Sequence, residues 1–439
     1  MVITLSKSSP LLRKAYCAFH FARNVSQSYK LVVAGGGTAG LSVSNCFSRI
    51  LGKGNVALIE PKNVNFRYFS IIMFQTRFAL QVHYYQPLWT FVGGGIKDVK
   101  ESERPIRNFI PPHCEWIQNS VKEFLPDENA VKLSDNSTIN YEYLVVAIGI
   151  EMDLDRIKGL KEALNTEGVC SNYMVDTVTK TWKCIQNFKE GNAIFTFPNT
   201  PIKCAGAPQK IMYLADDYFR KTNKRDKANI IYNSSLGVIF GAPKYAQSLN
   251  EIVKKRNITV NYKHNLIEIK PQTKEAIFEK LETGEKVPFK YDMIHVTPPQ
   301  KPPAVLKPLA DSAGFVNVDK ETLQHTKYSN IFSLGDCSNL PTSKTAAAVA
   351  AESGVLVENL NAFMNKSPMK RKYTGYTSCP LITSYNTCIL AEFDYNLQPL
   401  ETFPIDQGKE RTSMYYMTKD AIPFIYWNLL TRCLYYGVD

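Results

Sequence analysis

A short apolar segment that runs straight into a glycine-rich turn constrains this chain most. Residues 29–34 read YKLVVA, the β-branched composition of a buried parallel strand, and Gly35-Gly36-Gly37-Thr38-Ala39-Gly40 follows at once. The apolar residues after the turn predict a helix that ends near Gly52, and 55–60 (NVALIE) predicts a second strand. The chain therefore opens with a βαβ unit of a doubly wound sheet.

Each position of this Gly-x-Gly-x-x-Gly motif has a physical role in binding a dinucleotide. Gly35 permits the tight turn, Gly37 lets the backbone approach a pyrophosphate, and Gly40 allows the helix to pack closely on the strand. The free N–H groups of the helix N-terminus suit the diphosphate. Glu60, after the second strand, is expected to accept hydrogen bonds from an adenosine ribose, which disfavours NADP and leaves NAD or FAD.

A second motif favours FAD. Residues 331–336 (IFSLGD) predict a strand that ends in Gly-Asp, where Asp336 suits a hydrogen bond to a ribityl hydroxyl. A helix that starts near Thr345 would stabilise the negative charge that develops on a flavin during reduction. Lys344 either supports that charge or a proton transfer, or is an ordinary loop lysine. The residues predicted to bind FAD are Gly35, Gly37, Thr38, Ala39, Gly40, Glu60, Gln86, Gly149, Asp336, Lys344 and Thr345.

A second α/β region lacks the features of a nicotinamide site. Strands are predicted at 193–197 and 228–233, with a helix at about 209–220 between them. The loop that follows, 233–241 (NSSLGVIFG), has no Gly-x-Gly-x-x-Gly, and its Ser and Leu side chains would crowd a diphosphate. Electrons are therefore expected to enter from a donor other than NADH.

Two cysteine motifs resemble those of mitochondrial sulfide:quinone oxidoreductases: 203–210 (KCAGAPQK) and 376–381 (YTSCPL). Other segments also resemble that family, and the similarity runs from about Tyr29 to Trp427. It implies an α/β flavoprotein with two Rossmann-like dinucleotide-binding folds and a C-terminal membrane-associating region. The predicted division is a transit peptide at 1–28, an FAD-binding domain formed by 29–150 together with 301–365, a second Rossmann-like domain at 151–300, and a quinone- and membrane-facing region at 366–439.

The resemblance also implies the chemistry. Cys204 and Cys379 would form a redox-active pair on one face of the flavin, bridged directly or through sulfur at rest. Sulfide would leave a persulfide on one cysteine while the other, as thiolate, delivers electrons to FAD and then to ubiquinone. Glutathione, another small thiol or sulfite would take the persulfide sulfur. From the residues themselves, a helix after Cys204 and the adjacent Lys203 are expected to lower the pKa of Cys204, and most other cysteines are expected to be buried packing residues.

The two ends of the chain indicate its location. No acidic residue precedes Glu60, and the Ser-rich, basic first 28 residues have the composition of a mitochondrial transit peptide. Aromatic residues with basic flanks at 414–436 suit a peripheral contact with the inner-membrane surface. The net charge of +12 suits anionic lipid, whereas the absence of a basic run interleaved with aromatics argues against nucleic acid. No cysteine has a zinc-site spacing, so no metal is expected.

Two features depart from the family and two other functions stay open. An extra apolar stretch at about 63–82 separates Glu60-Pro61 from Tyr85-Gln86-Pro87. It is either a lineage-specific loop or a misread gene boundary. The C-terminus is also shorter than is usual in the family. An NADH:quinone oxidoreductase is one alternative, although it needs a nicotinamide loop. The other is a non-catalytic flavoprotein that binds partners or senses redox state, with the extra stretch as its contact loop.

Overall fold

The computed structural model describes residues 27–61 and 81–436, which form a mixed α/β fold. Its strands are β1 Gln27–Ala34, β2 Val56–Ile59, β3 Val82–Tyr84, β4 Glu103–Pro105, β5 Cys114–Ile117, β6 Val121–Leu125, β7 Ala130–Leu133, β8 Thr138–Val146, β9 Glu151–Met152, β10 Val169–Cys170, β11 Gly191–Phe197, β12 Ala228–Ser234, β13 Thr259–Tyr262, β14 His264–Lys270, β15 Glu275–Lys280, β16 Lys286–Lys290, β17 Met293–His295, β18 Gln300–Lys301, β19 Ile331–Ser333, β20 Thr377–Ile382 and β21 Cys388–Phe393. Its α-helices are α1 Thr38–Leu51, α2 Trp89–Gly93, α3 Leu160–Ala163, α4 Val175–Asn187, α5 Ala207–Lys221, α6 Pro243–Lys255, α7 Ala346–Met364, α8 Thr412–Tyr416 and α9 Ile422–Asn428.

Two sheets carry the fold. The first has the order β5-β2-β1-β8-β7-β6, with β19 beside β8, and its strands β5, β2, β1, β8 and β19 are parallel. The second has the order β10-β17-β11-β12-β13 and is parallel throughout. The buried apolar runs of β1 and β11 are what a strand covered on both faces requires. The predicted α/β fold class, with two Rossmann-like dinucleotide-binding folds, is confirmed.

The first sheet brings distant loops to one edge. β1, β8 and β19 are parallel neighbours, so the loops that follow them emerge at the same carboxyl end. These loops are the glycine-rich turn after Ala34, the turn at Gly149 and the Gly335–Asp336 turn. Three segments that lie far apart in sequence therefore line one crevice.

The second sheet and an antiparallel hairpin supply the two cysteine segments. β11 leads through a loop that contains Cys204 into α5, while Cys379 lies in the middle of β20, which pairs with β21. β20 packs against α5 and α7. The hairpin thereby closes over the start of the helix that follows Cys204.

A buried carboxylate fixes α5. Asp216 has no exposed surface, and its oxygens lie 3.0 Å from Arg220 Nε and 2.7 Å from Arg225 Nε. Arg256, which follows α6, adds a third contact at 3.6 Å. A buried charge is tolerated only with such partners, so this cluster ties α5 to α6 and to the turn before β12.

Two predicted segments fall largely outside the described residues. Positions 1–26 of the predicted transit peptide lie there, whereas Gln27 and Ser28 pair with Ile139 and Asn140 of β8. The extra stretch lies there too, apart from Gln81 and Val82. Within 27–61 and 81–436, no helix is both long enough and apolar enough to cross a bilayer.

Asp216→Asn is expected to lower the free energy of unfolding by roughly 3 kcal/mol, because three arginines lose their buried counter-charge. Urea denaturation followed by circular dichroism measures the change. Asp155→Asn, which breaks an exposed ion pair with Lys161, is the matched control and should cost less than about 1 kcal/mol. Equal effects of the two substitutions would contradict this account of α5.

Candidate active site

One cavity of about 610 Å³ contains both halves of the predicted flavin site and Cys204. The predicted residues that line it are Gly35, Gly37, Thr38, Ala39, Glu60, Gln86, Gly149, Asp336, Lys344 and Thr345. Gly40, the remaining predicted residue, lies behind this wall in α1 and is buried. Apolar residues also line this cavity, among them Phe91, Ile382 and Ile422 of the C-terminal helix α9.

The glycine-rich turn has the shape that a diphosphate needs. Gly35 has φ +103°, and a Cβ there would lie 2.4 Å from the carbonyl oxygen of Ala147. A Cβ on Gly40 would lie 1.7 Å from the carbonyl oxygen of Gly35, so α1 packs on β1 only because this position has no side chain. At Gly37 the space is open, which leaves the N-terminus of α1 accessible from the cavity. The residues present therefore fit an FAD diphosphate.

Polar side chains extend the cleft on both sides of the turn. Glu60 Oε2 accepts a hydrogen bond from the Gly36 N–H at 2.6 Å, and burial raises the pKa of this carboxyl. Burial also raises the pKa of Asp336, while the positive charges of Lys344 and Lys203 oppose the shift. Lys344 Nζ donates to the carbonyl oxygens of Asp336 and Ser338, each at 2.9 Å, so it braces the Gly-Asp turn.

The helix α7 begins where the prediction put it. Thr345 is its N-cap, and the Thr345 hydroxyl accepts from the Ala348 N–H at 3.1 Å. The same hydroxyl lies 2.9 Å from that of Thr377, two residues before Cys379. One contact therefore links the start of α7 to the strand that carries the second cysteine.

The structure brings Cys204 and Cys379 together across 175 residues of sequence. Their sulfur atoms are 3.8 Å apart, a distance at which the thiols are not bonded but a small movement or one bridging atom would join them. Gly206 makes room for this approach, because a Cβ there would lie 2.4 Å from Cys379 Sγ. Cys379 is fully buried, whereas Cys204 is partly exposed to the cavity.

Cys204 is held in a strained backbone conformation. Its φ of +55° lies in the left-handed region that non-glycine residues rarely adopt, as does the φ of +47° at Lys344. The two residues meet, since the Cys204 N–H donates to the carbonyl oxygens of Ser343 at 2.9 Å and Lys344 at 3.2 Å. Strain of this kind persists where surrounding contacts fix it, and it clusters at functional sites.

The electrostatics single out Cys204 as the thiolate. A hydrogen bond from Cys379 lowers the pKa of Cys204 to about 5; burial opposes this, while Lys210 and the Gly206 N–H reinforce it. Lys210 is buried, and its Nζ lies 3.4 Å from Cys204 Sγ. The pKa of Cys379 is raised, because its proton bonds to the Cys204 sulfur and the site is buried.

The prediction that Lys203 lowers the pKa of Cys204 is corrected by this geometry. Lys203 Nζ instead donates to Gln86 Oε1 at 2.5 Å and lies 6.0 Å from the centre of the Trp89 ring. Lys210 takes the expected role because the first turn of α5 turns its side chain back toward Cys204. The six-residue spacing between Cys204 and Lys210, on a helix that starts three residues after the cysteine, is the signal that sequence reasoning overlooked.

The loop of the second fold differs from the glycine-rich turn of the first. It joins β12 to α6, and Pro243 stands within the first turn of that helix. A Cβ on Gly241 would contact the side chain of Leu397 at 3.6 Å, and one on Gly237 would lie 3.0 Å from Lys263. Side chains therefore lie within contact distance of a Cβ at both of these glycines, whereas no atom lies within 4 Å of a Cβ at Gly37.

The remaining cysteines do not all pack as simple apolar residues. Cys170, Cys337 and Cys388 are buried thiols, which agrees with the expectation. Cys46 and Cys433, however, form a disulfide between α1 and the C-terminal segment. Neither residue lies in a recognisable motif, so the sequence carried no signal that they pair.

The nucleotide cleft, the second dinucleotide-binding fold and the adjacent thiol pair define an FAD-dependent oxidoreductase. The mouse protein named mitochondrial sulfide:quinone oxidoreductase is 54% identical over 408 residues, which cover 92% of this chain and 86% of that protein. The Dictyostelium discoideum protein of the same name is 46% identical over 420 residues, 94% of this chain and 88% of that protein. The chain therefore belongs to the mitochondrial sulfide:quinone oxidoreductase family.

Solved structures agree on the fold. The sulfide:quinone oxidoreductase of Aquifex aeolicus aligns with a TM-score of 0.73 at 18% identity, over 93% of this chain and 92% of that one. A chain of the Tetrahymena thermophila mitochondrial ATP synthase aligns with a TM-score of 0.79 at 22% identity, over 99% of this chain and 100% of that one. No family model matches the chain. At these identities the structural likeness supports the fold alone.

Lys210→Met is expected to raise the pKa of Cys204, because a positive charge 3.4 Å from the sulfur is removed. A depressed pKa keeps the thiolate present down to about pH 5, so the variant should lose thiolate as the pH falls through 7 and 6. Alkylation of reduced Cys204 by iodoacetamide, followed by mass spectrometry, should slow about tenfold at pH 6 and little at pH 9. Lys255→Met, an exposed lysine at the end of α6, is the control. Identical pH profiles for Lys210→Met and wild type would contradict the assignment.

Proposed function

We propose that this chain oxidises sulfide and passes the electrons through FAD to a quinone, with Cys204 and Cys379 as the redox-active pair. The supporting observation is that the two thiols meet, 3.8 Å apart, where the Cys204 side opens into the cavity of the glycine-rich turn. Membership of the family, whose curated members are named for sulfide and quinone, supports the same reaction. Sulfide and ubiquinone are therefore the proposed substrates.

The unequal acidity of the two thiols gives the reaction a direction. In a bridged resting pair, hydrosulfide attacks the sulfur whose partner leaves more readily, and the lower-pKa thiolate is the better leaving group. Cys204 therefore leaves as thiolate, and Cys379 takes the new sulfur as a persulfide. Lys210, in contact with Cys204 Sγ, balances the charge that this step creates.

The persulfide sulfur then moves to a small nucleophile. Attack by a thiolate such as glutathione, or by sulfite, on the outer sulfur releases Cys379 as thiolate and carries that sulfur away. The pair now holds two electrons more than the bridged form. Closing the pair again requires a two-electron acceptor, which bound FAD would supply, and the quinone would be the terminal oxidant of the cycle.

The flavin would be held by the residues that line the cavity. Gly35, Gly37 and the N-terminus of α1 suit the diphosphate, and Asp336 suits the ribityl chain. The N-terminus of α7, capped by Thr345, suits the pyrimidine edge, where its partial positive charge favours a reduced flavin. Lys344 braces the Asp336 turn through backbone carbonyls, which favours a supporting role over proton transfer.

Two observations disfavour an NADH:quinone oxidoreductase. The loop after β12 has Ser235 and Leu236 in place of the glycines of a diphosphate-binding turn. A pair of close thiols beside the flavin cleft would have no role in hydride transfer. The same thiol pair, with its depressed pKa at Cys204, disfavours a flavoprotein without catalysis.

The proposed location is the mitochondrial inner-membrane surface. Exposed apolar side chains of the C-terminal segment include Tyr416, Phe424, Leu434 and Tyr436. The apolar end of the cavity adjoins this segment through Thr418 and Ile422, so a quinone that leaves the lipid would have a short path to the flavin. The mitochondrial names of the curated relatives and the basic N-terminus support the compartment.

Cys204→Ser and Cys379→Ser are each expected to reduce sulfide-dependent reduction of a short-chain quinone at least about a hundredfold, because the two sulfurs act as one unit. FAD content, measured from the absorption spectrum, should stay unchanged. Cys114→Ser, at a free cysteine on the far edge of the first sheet, should retain full activity. Wild-type rates in either active-site variant would overturn the proposed mechanism.

Replacement of both Phe424 and Leu434 by Asp is expected to weaken binding to vesicles that contain anionic lipid by about tenfold or more, since two apolar side chains lose their burial in the interface. Vesicle flotation measures binding. The rate with long-chain ubiquinone in membranes should fall while that with a short-chain quinone in solution is kept. Val238→Asp, a comparably exposed apolar residue in the second fold, is the control. Unchanged flotation of the double variant would rule out this surface.

A further inference from the structure

The last described segment of the chain, residues 422–436, lies along α1, the helix that begins in the glycine-rich turn. At the start of α1, Thr38 Oγ1 lies 2.8 Å from the Tyr426 hydroxyl. Two turns later, Asn45 Nδ2 donates to the carbonyl oxygen of Thr431 at 3.0 Å. Tyr426 and Thr431 are both buried. The C-terminal segment therefore follows the helix from its cofactor-facing end toward its other end.

At that other end the two segments are joined covalently. The Cys46–Cys433 disulfide links residues 387 positions apart. Arg49, one turn further along α1, donates to the carbonyl oxygens of Cys433 at 3.2 Å and Arg432 at 2.5 Å. Both cysteines are buried, and the Tyr436 hydroxyl lies 3.0 Å from Cys433 Sγ. The disulfide thus fixes the end of a segment that is otherwise held by hydrogen bonds and packing.

The Tyr426 hydroxyl has a second partner that also reaches the glycine-rich turn. It lies 2.6 Å from His83 Nε2, and the His83 ring bonds to the backbone of Gly36. Burial lowers the pKa of His83 to about 4, so the ring is neutral and carries one N–H. A hydroxyl can donate one hydrogen bond and accept another, so the Tyr426 hydroxyl can bond His83 and Thr38 at the same time.

Aromatic packing fixes the tyrosine from the remaining directions. The ring centroids of Tyr426 and Tyr85 are 4.3 Å apart, and those of Tyr426 and Trp427 are 5.0 Å apart. Trp427 in turn packs on Phe109 at 5.1 Å. The hydroxyl of Tyr426 is therefore held at one point between two sides of the turn, without lining the cavity itself.

We propose that Tyr426 is a positioning residue for the cofactor and that the Cys46–Cys433 disulfide holds it in place. Tyr426 acts through Thr38 and His83, which do line the cavity. A diphosphate bound at the N-terminus of α1 needs the N–H groups of the turn to keep their directions. If the C-terminal segment detached from α1, Thr38 and His83 would both lose their contact with Tyr426. The disulfide makes this detachment less frequent. The inference rests on the proposed binding of FAD in this cleft.

The experiment uses the full-length, FAD-loaded protein in buffer without reductant, after peptide mapping has verified the disulfide. FAD release is followed by the rise of flavin fluorescence after dilution. Tyr426→Phe and Cys433→Ser should each release FAD about tenfold faster than wild type. The first variant loses the hydrogen bonds of the hydroxyl to Thr38 and His83, and the second loses the covalent link that keeps this hydroxyl in place. Tyr426→Phe should keep the disulfide and the melting temperature of the apoprotein, which separates positioning from general destabilisation.

Two controls match these variants. Cys114→Ser removes a free thiol, and Asn428→Ala changes an exposed residue two positions after Tyr426 on the same helix. Both should release FAD at the wild-type rate. Wild-type release from Tyr426→Phe would overturn the role of the tyrosine, and wild-type release from Cys433→Ser would overturn that of the disulfide. If the wild-type protein holds FAD and oxidises sulfide while both variants release FAD at the wild-type rate, this inference alone is refuted. If the wild-type protein binds no FAD, the proposed function is refuted as well.

Discussion

The backbone contact between Cys204 and the Ser343–Lys344 turn joins the two halves of this molecule at the point where they must act together. The N–H of Cys204, in the loop that follows β11 of the second sheet, donates to carbonyls that directly precede α7. Both partners are held at positive φ, so neither segment would adopt this shape alone. The position of the sulfur relative to the cleft, the approach of Cys379 and the contact with Lys210 all follow from it.

Around this contact, the fold offers helix N-termini to the negative charge of a cofactor and a lysine side chain to the negative charge of a thiolate. In the cleft, the starts of α1 and α7 carry partial positive charge, which would suit the diphosphate and the reduced flavin of the proposed cofactor. At the sulfur pair, a hydrogen bond from Cys379 lowers the pKa of Cys204, and the buried ammonium group of Lys210 reinforces this effect. The difference between the two pKa values gives two chemically identical side chains distinct chemical roles.

Much of this could be predicted from local sequence. Three features could be recognised as a nucleotide site because each directly follows a buried strand: the glycine-rich turn, Glu60 and the Gly-Asp turn. Parallel strands bring their carboxyl ends to the same edge of a sheet, so these features were expected to meet. The meeting of Cys204 and Cys379 was predicted only through family resemblance, since a sequence separation of 175 positions carries no geometric information. The sequence favours Lys203 because it adjoins Cys204 in the chain, whereas the fold brings Lys210 to the sulfur from the first turn of α5. The Cys46–Cys433 disulfide and the Tyr426 contacts depend on how the C-terminal segment returns to α1, which no local pattern encodes.

The central claim is that a reactive thiolate and a flavin share one cavity and that electrons enter there. Anaerobic addition of sulfide to the FAD-loaded protein, with the flavin absorption followed by stopped flow, tests it most directly. The account predicts rapid bleaching of the oxidised flavin band by sulfide and none by NADH on the same timescale. Bleaching by NADH, together with a flavin that sulfide leaves oxidised, would contradict it.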